Sequence, residues 1–143
     1  MPHCFGEGCK STRRYSRCMA DHRQLIVWQR AHVLSVLVFR STQCLDSNVG
    51  ARHYQSQLRR AVSSIAANIA EGRAHQSRAQ FARYLAIAVA STSESHSHAL
   101  EIRALGLIDA KDAHTIILEL EELRAMLLAL RYRVCSELKG LQA

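Results

Sequence analysis

Apolar side chains recur at helical spacing in four stretches of the chain, none of which contains a proline. In the first stretch they fall at Leu25, Trp28, Ala31, Leu34 and Val38. Intervals of three and four residues place such side chains on one face of a helix. The other three stripes are Leu58, Ala61, Val62, Ile65 and Ile69; Phe81, Leu85, Ala88, Thr92, Ser95, Ala99 and Ile102; and Ala113, Ile116, Leu120, Leu123, Leu127, Leu130 and Val134. The pattern predicts four helices, at about residues 22–45, 52–71, 78–105 and 110–138.

Residues with helix-capping and helix-ending chemistry stand near the predicted boundaries. Asp21 with Gln24, and Ser77 with Gln80, have the spacing of a capping box. Gly72 is predicted to be the glycine that follows the second helix. The third helix is predicted to end at Leu105 and Gly106, and Asp109 to cap the fourth helix.

Four long helices joined by short turns predict an all-α fold, an antiparallel up-down-up-down four-helix bundle over residues 21–143. Residues 1–20 differ from the rest, because they have no apolar period and hold three cysteines, two glycines and the single proline. We expect them to form a disordered or weakly ordered N-terminal extension.

Length and composition narrow the class of protein. With 143 residues, 48% of them hydrophobic, the chain can form one domain with one core. No run approaches 18 apolar residues, so no membrane span is expected. The five cysteines are odd in number, and the N-terminus has no apolar region of the kind a secretory signal needs. These features predict a cytoplasmic protein with reduced thiols.

Two of the predicted helices carry more apolar surface than an isolated bundle requires. The extra residues are Val33, Val36 and Leu37 in the first helix and Ile117, Met126 and Leu128 in the fourth. Such excess apolar area is typical of an oligomer interface. A wider core within one subunit would use the same residues and remains the alternative.

The charges of the chain are unevenly distributed. The net charge is +7, and 16 of the 19 basic residues are arginine, whose planar guanidinium suits phosphate and carboxylate alike. Six arginines stand against one acid, Glu71, between residues 52 and 83, whereas seven acids stand against two basic residues between 94 and 122. The six arginines are Arg52, Arg59, Arg60, Arg73, Arg78 and Arg83. Such a region can neutralise the phosphates of a nucleic acid.

Several segments together resemble a known family. They are residues 25–32 (LIVWQRAH), 57–61 (QLRRA) and 64–72 (SIAANIAEG), then Ile87 and Ala88 with Ser91 and Glu94, and finally Leu105 and Gly106. The chain resembles, over about residues 21–133, the bacterial four-helix bundle proteins encoded in intervening sequences of 23S ribosomal RNA genes. The same family includes the accessory variability proteins of diversity-generating retroelements.

The resemblance implies an antiparallel four-helix bundle and a ring-shaped homopentamer. For the retroelement members it also implies a basic surface that binds nucleic acid and a partner reverse transcriptase. Trp28, Asn68, Glu71, Gly72 and Glu94 belong to the shared pattern and are expected to be structural. Arg59 and Arg60 also belong to it, so Arg52, Arg73, Arg78 and Arg83 are the better candidates for phosphate.

The chain also departs from the family pattern in the middle of the third helix. Thr92 and Ser95 stand where leucine is usual. The helix is therefore more polar at its centre, and its packing there cannot be carried over from the family.

Other candidate chemistry is weaker. Asn68 and Glu71 have no accompanying base or nucleophile, so a buried hydrogen bond that fixes helix register is the favoured role. Cys4, Cys9, Cys18 and His22 are residue types that zinc accepts, but their spacing fits no zinc motif well. Glu94, His98 and Glu101 share a helix face without the second Glu-x-x-His pair that a metal bundle needs. We expect no metal, no cofactor and no catalytic residue.

The sequence favours a non-enzymatic, homo-oligomeric bundle that binds RNA or DNA through the six arginines, as an accessory to a reverse transcriptase or to ribosomal RNA processing. The alternative is a protein-binding scaffold whose charges serve subunit assembly only, in which Arg59 and Arg60 pair with Glu71, Glu94 or acids of a neighbouring subunit.

Overall fold

Four long helices make up most of the protein. The computed structural model describes residues 21–140, apart from the side chain of Lys139. The helices are α1 (Ile26–Ser41), α2 (Arg52–Ala74), α3 (Arg78–Ala104) and α4 (Ala110–Gly140), and short 3-10 helices lie at His22–Gln24 and Gln43–Leu45. Every regular element in this part of the chain is helical, so the fold is all-α. None of the described helices is both long and apolar enough to cross a membrane. The predicted extension at residues 1–20 lies outside the described residues.

The first helix is shorter than predicted at both ends. Asp21 caps the 3-10 helix, with its Oδ1 accepting from the backbone N–H of Arg23 at 3.0 Å and not from Gln24. Leu25 then adopts an extended backbone (φ −81°, ψ 121°), so α1 begins only at Ile26. At the other end Thr42 leaves helical geometry, and its hydroxyl donates to the Val38 carbonyl at 2.7 Å. The apolar period continues through these breaks because side chains of 3-10 turns can face the same core.

The prediction that Gly72 ends the second helix is wrong, because α2 continues to Ala74 and Gly72 is buried inside it. A Cβ at this position would lie 2.5 Å from Tyr84 Cβ and 3.1 Å from Phe81 Cδ2. Glycine is therefore required here for close approach of α3, and not for a left-handed backbone.

Gly106 is a glycine that follows and ends a helix, as was predicted for Gly72. Its φ is 62°, and it follows α3 in a Schellman motif. The Leu107 N–H donates to the Ile102 carbonyl and the Gly106 N–H to the Arg103 carbonyl, both at 3.1 Å. The predicted end of the third helix at Leu105 and Gly106 is confirmed.

The predicted caps of the last two helices are also confirmed. Ser77 Oγ accepts from the Gln80 N–H at 3.4 Å at the start of α3. Asp109 Oδ1 accepts from the Lys111 N–H at 2.8 Å at the start of α4. Both caps satisfy backbone donors that a helix leaves without partners at its N-terminus.

Successive helices pack against each other, and α1 also contacts α4. Ser35 lies beside Ser63, and Phe39, further along α1, lies beside Arg59, earlier on α2. α1 and α2 therefore run in opposite directions. The ion pairs Arg78–Glu137 and His96–Glu121 show that α3 and α4 also run in opposite directions. Arg30 of α1 pairs with Glu119 and Glu122 of α4. These contacts are compatible with the predicted up-down-up-down bundle.

The core consists of the predicted stripes with few changes. The apolar residues of the second and third stripes are all buried, whereas in α1 Val27 is buried and Trp28 is only partly so. Thr92 and Ser95 in the middle of α3 are fully buried. Their hydroxyls donate to the carbonyls of Ala88 and Ser91 at 2.8 and 2.7 Å, so they need no partner on another helix. Because these side chains are small and their hydroxyls are hydrogen-bonded, neighbouring helices can pack closely against α3 without burying an unsatisfied polar group.

The apolar residues beside the predicted stripes divide between core and surface. Ile117 is buried, and Leu37 and Met126 pack against the core. Val33, Val36 and Leu128 remain exposed. Ile26 and Phe39 add to the exposed apolar face of α1, with Val33 the most exposed at 66%. A wider core thus accounts for half of the predicted excess, and the outer face of α1 accounts for most of the rest.

Candidate nucleic-acid interface

The six predicted arginines do not form one patch, because they lie at opposite ends of the helices. Arg52, Arg59 and Arg60 are in the first turns of α2, whereas Arg73 is in its last turn. A rise of 1.5 Å per residue separates Arg52 from Arg73 by about 30 Å along the axis. Arg78 and Arg83 begin α3 at the same end as Arg73.

Arg59 is a structural residue that ties α1 to α2. Its Nε donates to Thr42 Oγ1 at 2.8 Å, and its Nη2 donates to the Phe39 carbonyl at 3.2 Å. Its Nη1 lies 3.3 Å from Asp46 Oδ1, and the guanidinium carbon is 4.3 Å from the centre of the Phe39 ring. The partners are in the last turn of α1 and in the α1–α2 connection. The predicted pairing of Arg59 with Glu71 or Glu94 is therefore wrong.

The other two arginines at this end are more accessible. Arg52 is exposed, and its Nε donates to the Asp46 carbonyl at 3.0 Å. Arg60, the residue that follows Arg59 in α2, is exposed. Asp46 itself is held by Gln55, whose Nε2 donates to Asp46 Oδ1 at 2.6 Å. Arg60 and most of the Arg52 side chain are therefore available to a partner.

At the other end the structure forms what we call the basic groove. Three arginines line it, Arg73, Arg78 and Arg133, together with His75 and one acid, Glu137. Its volume is about 590 Å³. The apolar part of its lining consists of Leu25, Phe81, Leu130 and Val134. The groove thus joins the start of α1, the α2–α3 connection and the last turns of α4.

Arg133 was missed by sequence reasoning, which counted charge only in continuous windows. It stands one residue before the last member of the apolar stripe of α4, Val134, so its helix face borders that stripe. Antiparallel packing of α3 and α4 places the end of α4 beside the start of α3. That combination was the signal from which Arg133 could have been found.

The three arginines of the groove are held differently. Arg78 forms an ion pair with Glu137, and both side chains are about half exposed, so the pair contributes little to stability. Arg73 is partly buried, with its guanidinium carbon 5.7 Å from the centre of the Phe81 ring. Its Nε is buried and has no hydrogen-bond partner among the described residues. Arg133 is exposed.

Arg83 lies on α3 beside a small polar cluster. It is exposed, and the neighbouring Tyr84 donates its hydroxyl to Glu71 Oε1 at 2.8 Å. His75 stacks on the Tyr84 ring with centroids 5.2 Å apart. The hydrogen bond to Glu71 is the main cause of a raised pKa of the Tyr84 phenol, and the Arg83 charge opposes it.

Replacing Glu71 with glutamine is expected to lower the Tyr84 pKa, since the carboxylate that favours the protonated phenol is lost. Arg83→Gln is expected to raise it further. A raised folded-state pKa means that this bond stabilises the fold below the ordinary phenol pKa and that the effect is lost as pH rises through the folded value. The Cζ resonance of Tyr84, followed by NMR in an alkaline titration, measures both shifts. Shifts of the same sign in the two variants would contradict the assignment.

The family-pattern residues have local structural roles. Asn68 Nδ2 donates to the Ser64 carbonyl of its own helix at 2.7 Å. Asn68 is only partly buried and bonds within its own helix, so the prediction that it fixes the register between helices through a buried bond is wrong. The exposed Glu71 makes the contact between α2 and α3. Trp28 is partly buried, between His22 at 4.8 Å and His32 at 5.1 Å from ring centre to ring centre.

Glu94 lies away from the arginines, on the exposed face of α3. Its Oε1 is 3.8 Å from His98 Nε2, and Glu101 Oε2 is 3.2 Å from His98 Nδ1. In residues 21–140 no three His, Cys, Asp or Glu side chains converge in a way that could hold a metal ion. Of the zinc candidate, Cys4, Cys9 and Cys18 lie outside the described residues.

Comparison with known proteins identifies the family and a related solved structure. A sequence model of the family described as 23S rRNA-intervening sequence protein matches residues 23–129. Among solved structures, a protein with unknown function from the S23 ribosomal protein family of Bacteroides thetaiotaomicron VPI-5482 is similar, with a TM-score of 0.69 and 23% sequence identity. The match covers 74% of this chain and 98% of that protein. No curated protein matches the chain. The structural likeness supports the four-helix fold.

Proposed function

The chain belongs to the 23S rRNA-intervening sequence protein family, and from that premise we propose that it is a non-enzymatic, homo-oligomeric four-helix bundle that binds RNA or DNA through arginines. The observation that carries the proposal is the basic groove, whose described residues include three arginines, Arg73, Arg78 and Arg133, and one acid, Glu137. Arg83 extends the same basic end along α3. Guanidinium groups neutralise phosphates and release counterions whatever the base sequence.

The exposed apolar face of α1 supports the homo-oligomeric part of the proposal. Ile26, Val33, Val36 and Phe39 are all exposed on one helix, with the first two more than 60% exposed. Isolated exposed apolar residues are ordinary, but a row on one helix is typical of a contact with another subunit. A ring of five subunits, as the resemblance implies, would repeat the basic end five times and let weak phosphate contacts act together.

Accessory roles follow from the family and not from the geometry. Partnership with a reverse transcriptase and participation in ribosomal RNA processing both remain predictions of the resemblance. Because the matching family is described by 23S rRNA intervening sequences, ribosomal RNA fragments are the first RNAs to test.

A protein-binding scaffold is the second candidate, and one observation favours it. Several arginines already contact acids of the same chain: Arg30 with Glu119 and Glu122, Arg59 with Asp46, and Arg78 with Glu137. In a scaffold, the remaining charges would serve assembly alone, and no polyanion would bind.

Binding of labelled ribosomal RNA fragments across a salt series tests the proposal. We expect affinity to fall at least about tenfold between ~50 and ~200 mM salt, because several phosphate contacts are lost together. In the variant Arg78→Gln, Arg83→Gln, Arg133→Gln, the slope of log affinity against log salt should fall by about 0.7–0.9 for each contact removed. Light scattering measures the oligomer mass of both proteins.

The matched control removes three exposed arginines from the opposite end, through Arg40→Gln, Arg52→Gln and Arg103→Gln. The net charge changes equally, so a smaller loss of affinity in this control would locate binding at the basic end. Equal losses would assign binding to overall charge. Absence of binding at low salt, with an intact oligomer, would overturn the proposal in favour of the scaffold.

A further inference from the structure

The basic groove carries more positive charge than is needed to neutralise one internal phosphodiester of a nucleic acid. Among the described residues, three arginines and one glutamate line it and give a net charge of +2. An internal phosphodiester carries one negative charge, whereas a phosphate monoester carries about −1.5 to −2 at pH 7. The groove therefore matches the charge of a terminal phosphate better than that of an internal one.

Arg73 supplies a donor that is already desolvated. Arg73 lines the groove, and its buried Nε has no acceptor in residues 21–140. Leaving a buried N–H unsatisfied is unfavourable, and a phosphate that draws the guanidinium into the groove would relieve that cost. Arg73 is held against Phe81, so its guanidinium needs little ordering on binding.

The start of α3 adds a second source of positive potential. Ser77 and Arg78 both line the groove, and Ser77 is the N-cap of this 27-residue helix. The first backbone N–H groups of a helix lack intrahelical acceptors, and the helix dipole favours an anion beside them. Glu137 is the only acid that the described residues contribute to the lining, and its half-exposed pair with Arg78 can open to admit a phosphate.

The apolar lining favours a nucleotide over a bare anion. Phe81, Leu130 and Val134 belong to the lining of a groove of about 590 Å³, which exceeds the size of a phosphate. A sugar or base could cover these apolar side chains while the phosphate contacts the arginines.

We propose that the basic groove binds the terminal phosphate monoester of a nucleic-acid strand, with Arg73, Arg78 and Arg133 contacting the phosphate oxygens and the terminal nucleoside covering the apolar lining. This inference rests on the proposed function and adds a preferred feature of the RNA, its phosphorylated end.

Four RNAs of one sequence test the preference: with a 5′-phosphate, with a 3′-phosphate, with both phosphates, and with hydroxyl groups at both ends. We expect at least one phosphorylated end to raise affinity about tenfold over the hydroxyl form. Arg78→Gln with Arg133→Gln should abolish that ratio. Arg73→Lys keeps the charge but removes the buried Nε donor, and it should reduce the ratio severalfold while circular dichroism shows an intact helical fold.

The control Arg40→Gln with Arg52→Gln should leave the ratio unchanged. Equal, salt-sensitive binding of all four RNAs would overturn the terminal-phosphate site and leave the proposed function standing. Absence of binding by every RNA would overturn both. Inorganic phosphate should compete only at much higher concentration than the phosphorylated RNA, and equal competition would overturn the claim that the ligand is a strand end.

Discussion

Replacing Arg59 with alanine is expected to lower the free energy of unfolding by about 2–4 kcal/mol, although a sequence count would treat it as one of six surface arginines. Its guanidinium donates to Thr42 Oγ1 and the Phe39 carbonyl and contacts Asp46. Hydrogen bonds to charged groups contribute about 1.5–3 kcal/mol each when largely buried, and the contact with the Phe39 ring adds about 0.5–1 kcal/mol. The Phe39 carbonyl is also among the last four carbonyls of α1, which have no N–H donor within the helix to bind them.

Arg60→Ala is the matched control, because it changes the same residue type one position along and on an exposed face. We expect it to alter stability by less than about 0.5 kcal/mol. Urea denaturation at one fixed protomer concentration measures both, since an oligomer's stability depends on concentration. Arg59→Lys keeps the charge but not the planar fork and should fall between the two. Equal losses from Arg59→Ala and Arg60→Ala would contradict the structural role.

Enlarging Gly72 is expected to be the most damaging change in α2. An added Cβ would lie 2.5 Å from Tyr84 Cβ, and neither atom can move without moving a helix. Overpacking costs typically 1–3 kcal/mol and occasionally more, while alanine regains about 1 kcal/mol through helix propensity. We therefore expect a net loss of about 1–2 kcal/mol for Gly72→Ala and about 3 kcal/mol or more for Gly72→Val, measured by urea denaturation.

A double-mutant cycle isolates the steric cause. Tyr84→Gly removes the Cβ that the new side chain would meet, so Gly72→Ala should cost less in that background than in the natural chain. Gly140→Ala, where no atom lies within 4 Å of the added Cβ, should change stability by less than about 1 kcal/mol. An unchanged cost of Gly72→Ala in the Tyr84→Gly background would show that the clash is not its source.

The helices could be predicted because period and capping chemistry are local properties. The spacing of the stripes gave α2, α3 and α4 to within a few residues, and Ser77 and Asp109 cap as expected. Gly72 shows where local reasoning ends. A glycine near the end of an apolar stripe has the same sequence appearance whether it turns the chain or admits a neighbouring helix. Only the position of Tyr84 distinguishes the two.

The candidate site was harder to predict. A long helix places residues of one sequence window far apart, and packing between helices brings together residues that are distant in sequence. Arg52 and Arg73 belong to one basic window of the sequence but lie at opposite ends of α2. Arg133 belongs to neither window and lies in the groove with Arg73. Counting charges along the sequence therefore predicts how many basic residues a region holds. The directions of the packed helices decide which of those residues lie close together.

The basic groove is built from segments that are far apart in the chain, and this affects when it can exist. Leu25, Arg73 and Arg133 all line it, so it needs the beginning of α1, the end of α2 and the last turns of α4 together. A chain emerging from the ribosome has its first two helices long before Arg133 is available. The groove consequently forms only after nearly the whole of the described chain has been made, and a nascent protein cannot use it to hold RNA during its own synthesis.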